Sequence, residues 1–332
     1  MAASSSADVK IPKSPVVILM IGMAGSGKST LMHRMVVRLS KHKKVYTVNL
    51  DPAVRNLAYP VNIDIRDSVN YKEVMKHFGL GPNGAIMTSL NLFATKFDQV
   101  LNILNKRAEN LDVVLIDTPG QIEVFNWSAS GQIICDALAV SYPTIVCYVV
   151  DTARCVKPVT FMSNMLYACS ILYKTKLPFI VSFNKIDVIS HDFLKEWMED
   201  FEKLGDALSR ETSYVASLSK SMSLAMEEFY RNLRSVGVSA VTGAGGEDFE
   251  KAIQEACTEF QESYVPFLVE QRRDLEEKRK ASVEEQMKTF ERGLDRAKAT
   301  NKRGRDTDLD QLGEDVQNLS IEERDYMMDC MD

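Results

Sequence analysis

No stretch of this 332-residue chain approaches the roughly 18 consecutive apolar residues that a membrane-spanning helix requires. The opening residues, Met1 to Asp8, are small and polar, and the first apolar run, Val16 to Ile21, is too short for the core of a secretory signal. Cysteine is sparse. Cys135, Cys147, Cys155, Cys169, Cys257 and Cys330 form no C-x-x-C pair, no zinc-ligand spacing and no dense framework, which sets aside a disulfide scaffold or a zinc module and predicts reduced thiols. Internal repeats are absent as well. Bulk positive charge is also missing: the formal net charge is −6 and the pI about 5.5. That excludes a nucleic-acid binder working by overall charge. Together these absences predict a soluble, intracellular protein with no membrane and no direct nucleic-acid partner.

The acidity is local. Between Asp306 and Asp332 ten acidic residues face one arginine, making that segment −9 and leaving +3 for residues 1–305. Apolar residues make up 45% and charged residues 26%, as in a globular chain with a substantial core. Short, mostly β-branched runs at Val16 to Ile21, Val45 to Leu50, Val113 to Ile116, Thr144 to Val150 and Pro178 to Phe183 do not alternate with polar residues. Such runs suit strands buried on both faces of a parallel sheet. Helical patterns occupy Thr30 to Ser40, Thr95 to Glu109, Thr160 to Tyr173, Phe193 to Ser209 and Tyr214 to Ser235, and a sixth strand is expected at Val236 to Val241. The order predicts a doubly wound α/β domain. Residues 55–95 form a long insertion too apolar for disorder. The chain is helical in composition from Glu247 to about Arg296, and polar and acidic beyond Ala297, where a disordered tail is expected. The organisation read from this is a flexible start at 1–14, a main domain at 15–265, a charged helical extension at 266–300 and an acidic tail at 301–332.

Three motifs carry chemistry. Gly22-Met-Ala-Gly25-Ser26-Gly27-Lys28-Ser29-Thr30 matches G-x-x-x-x-G-K-[ST] between a strand and a helical pattern. Its N–H groups and the helix N-terminus would cradle phosphate, Lys28 would reach the β and γ phosphates, and Ser29 would ligate Mg²⁺. Next, LDVVLIDTPGQ ends a strand on Asp117, a direct or indirect Mg²⁺ ligand, followed by Gly120 to face the γ-phosphate and Gln121 to orient water. Third, Asn184-Lys185-Ile-Asp187 closes another strand. A carboxylate there accepts from the N1–H and 2-amino group of guanine, which adenine does not offer, and would be left unpaired by the wrong base. Asn184 would hold that loop and Lys185 would pack over the purine. Ser239-Ala240, towards the end of the expected sixth strand, could offer a backbone N–H to the guanine O6.

These residues, together with Asp51-Pro52-Ala53 after the second strand and Gly81-Pro82-Asn83 in the insertion, resemble the GPN-loop GTPases over about residues 15–265. The resemblance implies a three-layer α/β P-loop NTPase with a mostly parallel sheet, a helical insertion and C-terminal helices. It implies GTP and GDP as ligands with Mg²⁺, and Asp51 near the metal and the attacking water. It further implies a homodimer, or a heterodimer with a paralogous GPN-loop GTPase, in which Asn83 of the Gly81-Pro82-Asn83 loop reaches the nucleotide across the interface. RNA polymerase II subunits, whose assembly or nuclear import the family supports, are the implied clients. Arg55 is close enough to Asp51 in sequence to be tested as an assisting arginine. Catalysis is thus assigned to Gln121, Asp51, Asn83 and Lys28, and metal binding to Ser29, Asp117 and Asp51. The alternatives are a scaffold stabilised by nucleotide with incidental turnover and a phosphoryl-transferring kinase. Leu309, Leu312, Val316, Leu319 and Ile321 have the spacing of a nuclear export signal or of a short amphipathic helix. The first reading gives a cytoplasmic protein that shuttles to the nucleus. Lys302-Arg303-Gly304-Arg305 reads as a solvated cluster rather than an import signal. The stretch Gln271 to Lys280 reads as an exposed helical face or a partner-binding helix.

Overall fold

The computed structural model describes residues 15–209, 222, 226, 229–230 and 233–301. The export-type leucine spacing, the Lys302 to Arg305 cluster, the acidic tail and the first 14 residues lie outside these. Strands β1 (Val16–Ile21), β2 (Val45–Asn49), β3 (Ile63–Asp64), β4 (Val113–Asp117), β5 (Thr144–Asp151), β6 (Phe179–Asn184) and β7 (Arg234–Val238) form one sheet in the order β3-β2-β4-β1-β5-β6-β7. Every pair is parallel. Val17, Ile18, Leu19, Met20 and Ile21 are all buried; because successive strand side chains point to opposite faces, the sheet is covered on both sides. That explains the unalternating runs in the sequence. On one face, α1 (Lys28–Leu39) and α11 (Gly246–Glu259) bury Leu31, Met32, Met35, Phe249 and Ile253 against Ile18, Met20, Leu115 and Val149.

Register places the chemistry. Asp117 pairs with both Met20 of β1 and Asn49 of β2, and Asn184 pairs with Asp151 and Val238. The carboxyl ends of β2, β4, β1, β5, β6 and β7 therefore share one edge, and the connection leaving β1 runs towards β2, whereas those leaving its neighbours β4 and β5 run the opposite way across the sheet. In open α/β sheets a ligand crevice forms at such a switch point.

The insertion supplies β3, a short helix α2 (Ile65–Ser68), α3 (Tyr71–Phe78) and α4 (Pro82–Ala94). A two-residue strand leaves no periodicity to read. After α5 (Phe97–Arg107) and β4 come α6 (Ile122–Asn126) and α7 (Ala129–Ser141), in a region to which the sequence reading assigns no element. α7 is rich in small and apolar residues and packs against α4, α6 and α8 (Pro158–Thr175); a helix contacted on several sides shows no clean amphipathic stripe. The helix expected over Phe193 to Ser209 is two, α9 (Asp192–Glu199) and α10 (Phe201–Ser209). Asp200 divides them, its Oδ1 accepting the N–H of Glu202 at 3.0 Å and of Lys203 at 3.3 Å, which starts a new helix. The last strand occupies Arg234–Val238 rather than Val236 to Val241. Ser239 and Ala240 leave the ladder because their N–H groups bond Ala244 O at 3.0 Å and Asn184 Oδ1 at 3.1 Å. Arg234 and Ser235, expected to end a helix begun at Tyr214, belong to β7 instead, and residues 214–221, 223–225, 227–228 and 231–232 of that expected helix lie outside the described residues.

Two compact units divide at Phe267 and Leu268. A π-helical turn, Phe260–Tyr264, leads from α11 into α12 (Val265–Asn301), whose residues from Leu268 belong to the second unit. In Gln271 to Lys280 the residues whose exposure is described are all exposed, and Arg273 pairs with Glu277 at 3.5 Å.

Candidate nucleotide site

The loop from Gly22 to Gly27 joins β1 to α1 at the central strand. Glycine is required at two positions. A Cβ on Gly22 would lie 2.4 Å from Val149 O, and one on Gly27, at φ 88°, 2.4 Å from Asn184 Nδ2. Gly27 also caps α1, whose first turn carries no acidic residue, so the helix N-terminus stays open to an anion. Ser26 is buried and its hydroxyl has no hydrogen-bond partner among the described residues, whereas Thr30 lies on the exposed side of α1.

Lys28 is buried, and its Nζ donates to Gly22 O at 2.7 Å and Met23 O at 3.3 Å. Burial pushes its pKa down, while Asp117 and Asp51 oppose that shift. Ser29 Oγ donates to Asp117 Oδ2 at 2.9 Å. Burial raises the Asp117 pKa against the pull of Lys28, Ser29 and Tyr59. Its other oxygen, Oδ1, is buried and has no hydrogen-bond partner among the described residues. An orphaned carboxylate oxygen beside a serine hydroxyl is a hard donor set, and Mg²⁺ takes one or two such ligands and completes its shell with phosphate and water. These residues fit the ion.

Asp51 is partly buried just beyond β2. Burial raises its pKa, countered by the N–H of Ala53, by Lys28 and by the N–H groups of Gly120 and Val54. The loop that holds it is anchored in turn. Asn49 Oδ1 accepts Asp51 N–H at 3.1 Å, Asn49 Nδ2 donates to Asp64 Oδ1 at 3.0 Å, and Arg66 grips Asp64 through Nε and Nη2 while its Nη1 donates to Val54 O and Arg55 O. Arg55 itself is exposed. Gln121 is half-buried at the start of α6 and its side chain makes no capping hydrogen bond.

At the other end of the crevice Asn184 does what its motif position implies. Nδ2 donates to Ser26 O at 2.9 Å and Oδ1 accepts the N–H of Lys185 at 2.9 Å and of Ala240. Lys185, at φ 70°, places Nζ 2.9 Å from Gly25 O and 2.6 Å from Asp151 Oδ2. Asp187 is exposed, and the Ser239 hydroxyl donates to its Oδ1 at 2.5 Å. The N–H groups of Ser239 and Ala240 bond Ala244 O and Asn184 Oδ1, and the Ser239 hydroxyl braces the Asp187 carboxylate. Among the described residues no hydrogen bond joins Gly81, Pro82 and Asn83 to this cluster. They are exposed where α4 begins, Gly81 as N-cap and Pro82 as first residue, and among the described residues Asn83 makes no side-chain hydrogen bond.

Sequence reasoning missed Tyr59, Asn49, Asp64, Arg66 and Asp151. Asp151 ends an apolar run as Asp51 and Asp117 do, a signal that could have found it. Tyr59 carries no comparable mark.

A P-loop on the central strand, a strand-end aspartate bonded to its serine and a base loop braced from two strands define a P-loop protein with a guanine-type base loop. A family profile described as "Conserved hypothetical ATP binding protein" matches residues 20–259. GPN-loop GTPase 1 of Dictyostelium discoideum is 53% identical over 287 residues, covering 86% of this chain and 72% of that protein. GPN-loop GTPase 1 of Schizosaccharomyces pombe is 54% identical over 290 residues, covering 83% and 79%. A Pyrococcus abyssi GTPase crystallised in apo form superposes with a TM-score of 0.64 at 32% identity, over 73% of this chain and 97% of that one. The chain belongs to the GPN-loop GTPase family.

Proposed function

We propose that this GTP-binding and GTP-hydrolysing protein works as a Mg²⁺-dependent dimeric switch that assists assembly and nuclear import of RNA polymerase II. The observation that carries the GTPase part is the convergence at one sheet edge of Lys28, the Ser29 to Asp117 hydrogen bond and the braced Asn184 to Asp187 loop. GTP would lie along that edge, with its base against Asp187 and its phosphates over the Gly25 to Ser29 amides. Lys28 would exchange the carbonyls of Gly22 and Met23 for phosphate oxygens. Ser29 and Asp117 would hold Mg²⁺, with Asp51 as a further carboxylate for it, and the ion would supply Lewis-acid neutralisation of the phosphate charge. Gln121 and Asp51 would orient the water that attacks the γ-phosphorus, while Lys28 and the loop N–H groups stabilise the departing diphosphate. An exposed Asn83 amide with no side-chain hydrogen bond among the described residues supports a role toward a second subunit. α4 behind it packs on α6, directly after Gln121, so hydrolysis could alter the interface and the grip on a client. The polymerase client and the shuttling rest on family membership.

Single-turnover GTP hydrolysis by wild type, Gln121→Ala and Asn83→Ala tests the switch. A rate lowered in both variants at retained GTP affinity supports it. If neither substitution slows a measurable rate while client binding persists, nucleotide serves as a structural ligand. Transfer of labelled γ-phosphate to an acceptor other than water would instead identify a kinase.

A further inference from the structure

Tyr59 lies in the insertion between β2 and β3, yet it is among the best-buried side chains there, at 4% exposure. Its ring belongs to the core cluster that includes Ile18, Met20, Leu31 and Leu115. Its hydroxyl emerges from that cluster to donate to Asp117 Oδ2 at 2.9 Å. The same oxygen accepts from Ser29, so two hydroxyls converge on Oδ2 while Oδ1, buried and without a hydrogen-bond partner among the described residues, keeps its lone pairs. The backbone around Tyr59 is held by hydrogen bonds to β2. Thr47 Oγ1 donates to Pro60 O at 2.6 Å, Thr47 N–H donates to Asn62 Oδ1 at 2.8 Å, and Asn62 N–H donates to Thr47 O at 3.0 Å. A phenol held rigidly at both ring and backbone is suited to fixing a carboxylate's rotation, which a mobile side chain or a water would not do.

We propose that Tyr59 is a positioning residue for the divalent cation: by pinning Oδ2 it fixes the Asp117 carboxylate so that Oδ1 serves the metal, and it ties the insertion to cation occupancy. This rests on the reading of Asp117 as the metal-facing carboxylate. Removing a group that orients a metal ligand costs roughly 10- to 100-fold in metal affinity even where the ligand itself is intact.

The test is retention of a fluorescent GDP analogue by the full chain as Mg²⁺ is titrated, for wild type and Tyr59→Phe, with a parallel measurement in EDTA. Phenylalanine keeps the ring in the core. The expected result is a Mg²⁺ midpoint raised roughly 10- to 100-fold with unchanged affinity in EDTA, and hydrolysis that recovers as Mg²⁺ is raised. Equal Mg²⁺ midpoints, or a loss of the same size in EDTA, would overturn the assignment and leave Tyr59 a packing residue. Wild-type retention that ignores Mg²⁺ would overturn the metal reading itself and Tyr59's role with it. Should Tyr59→Phe fail to fold, hydrogen exchange of wild type decides. Protection over residues 57–62 is expected to rise when Mg²⁺ joins the GDP complex, and unchanged protection counts against the proposal.

Discussion

At the scale of single residues the base loop makes the sharpest prediction. Asp187 is exposed and held by Ser239 rather than buried in a fixed pocket, so the base selectivity proposed for it would depend on that hydroxyl. Asp187→Asn is expected to weaken GTP binding and shift preference toward xanthine nucleotide, measured by competition between the two. Ser239→Ala should weaken GTP by about fivefold, the loss of one hydrogen bond worth about 1 kcal/mol, without inverting the preference. A variant that binds GTP as wild type does would free Asp187 from dependence on Ser239. The motif residues in this loop were legible because N-K-x-D fixes residue types at fixed spacing; the bracing role of Ser239 and Ala240, read from sequence only as backbone donors to the base, was not, because they follow β7 and meet Asn184 and Asp187 only when β6 and β7 pair.

Among the elements, the loop after β2 matters most, since it presents Asp51. Burial alone would raise the Asp64 pKa, but its hydrogen bonds from Arg66 and Asn49 prevail and hold it below the ordinary carboxylate value. A carboxylate whose folded pKa is depressed contributes stability above its unfolded pKa, and that contribution is lost as pH falls through the folded value. Stability should therefore decline below about pH 4, and less steeply in Asp64→Asn, as followed by denaturant midpoints across pH. Arg66→Ala leaves Asp64 buried and unpaired; because Arg66 is about one-third exposed, the cost should be about 2 kcal/mol, below the full penalty of a wholly buried pair. Chemical denaturation checks the magnitude, and hydrogen exchange over 51–55 should show the loop loosening. A second element-level prediction concerns α1. Gly27→Ala places a methyl against the Asn184 amide in a left-handed backbone conformation, so nucleotide affinity should collapse while the far strands retain their exchange protection.

For the whole molecule, ligand linkage gives the check. A nucleotide that binds only the folded state at 100 times its dissociation constant adds about 2.7 kcal/mol, so thermal midpoints should rise with Mg²⁺·GDP and not with Mg²⁺·ADP. The proposed dimer predicts that molar mass by light scattering depends on nucleotide state. Asn83→Ala should slow hydrolysis without lowering that mass, since the exposed amide is assigned to chemistry across the interface rather than to holding it.

By itself the sequence determined the parallel α/β class, the positions of the central strands and the presence of three nucleotide motifs, because buried strands demand unbroken apolar runs and phosphate and guanine demand particular groups at close spacing along the chain. Tertiary structure decided what no local pattern encodes. The net charge, −6 over the chain, gave no hint of an anion site made from aimed N–H groups and one buried lysine. The two-residue strand in the insertion exists only because β2 offers it an edge. Tyr59 meets Asp117, 58 residues away, because the insertion folds back over the P-loop face. Parallel register, setting the ends of separate strands side by side, turned scattered motifs into one site.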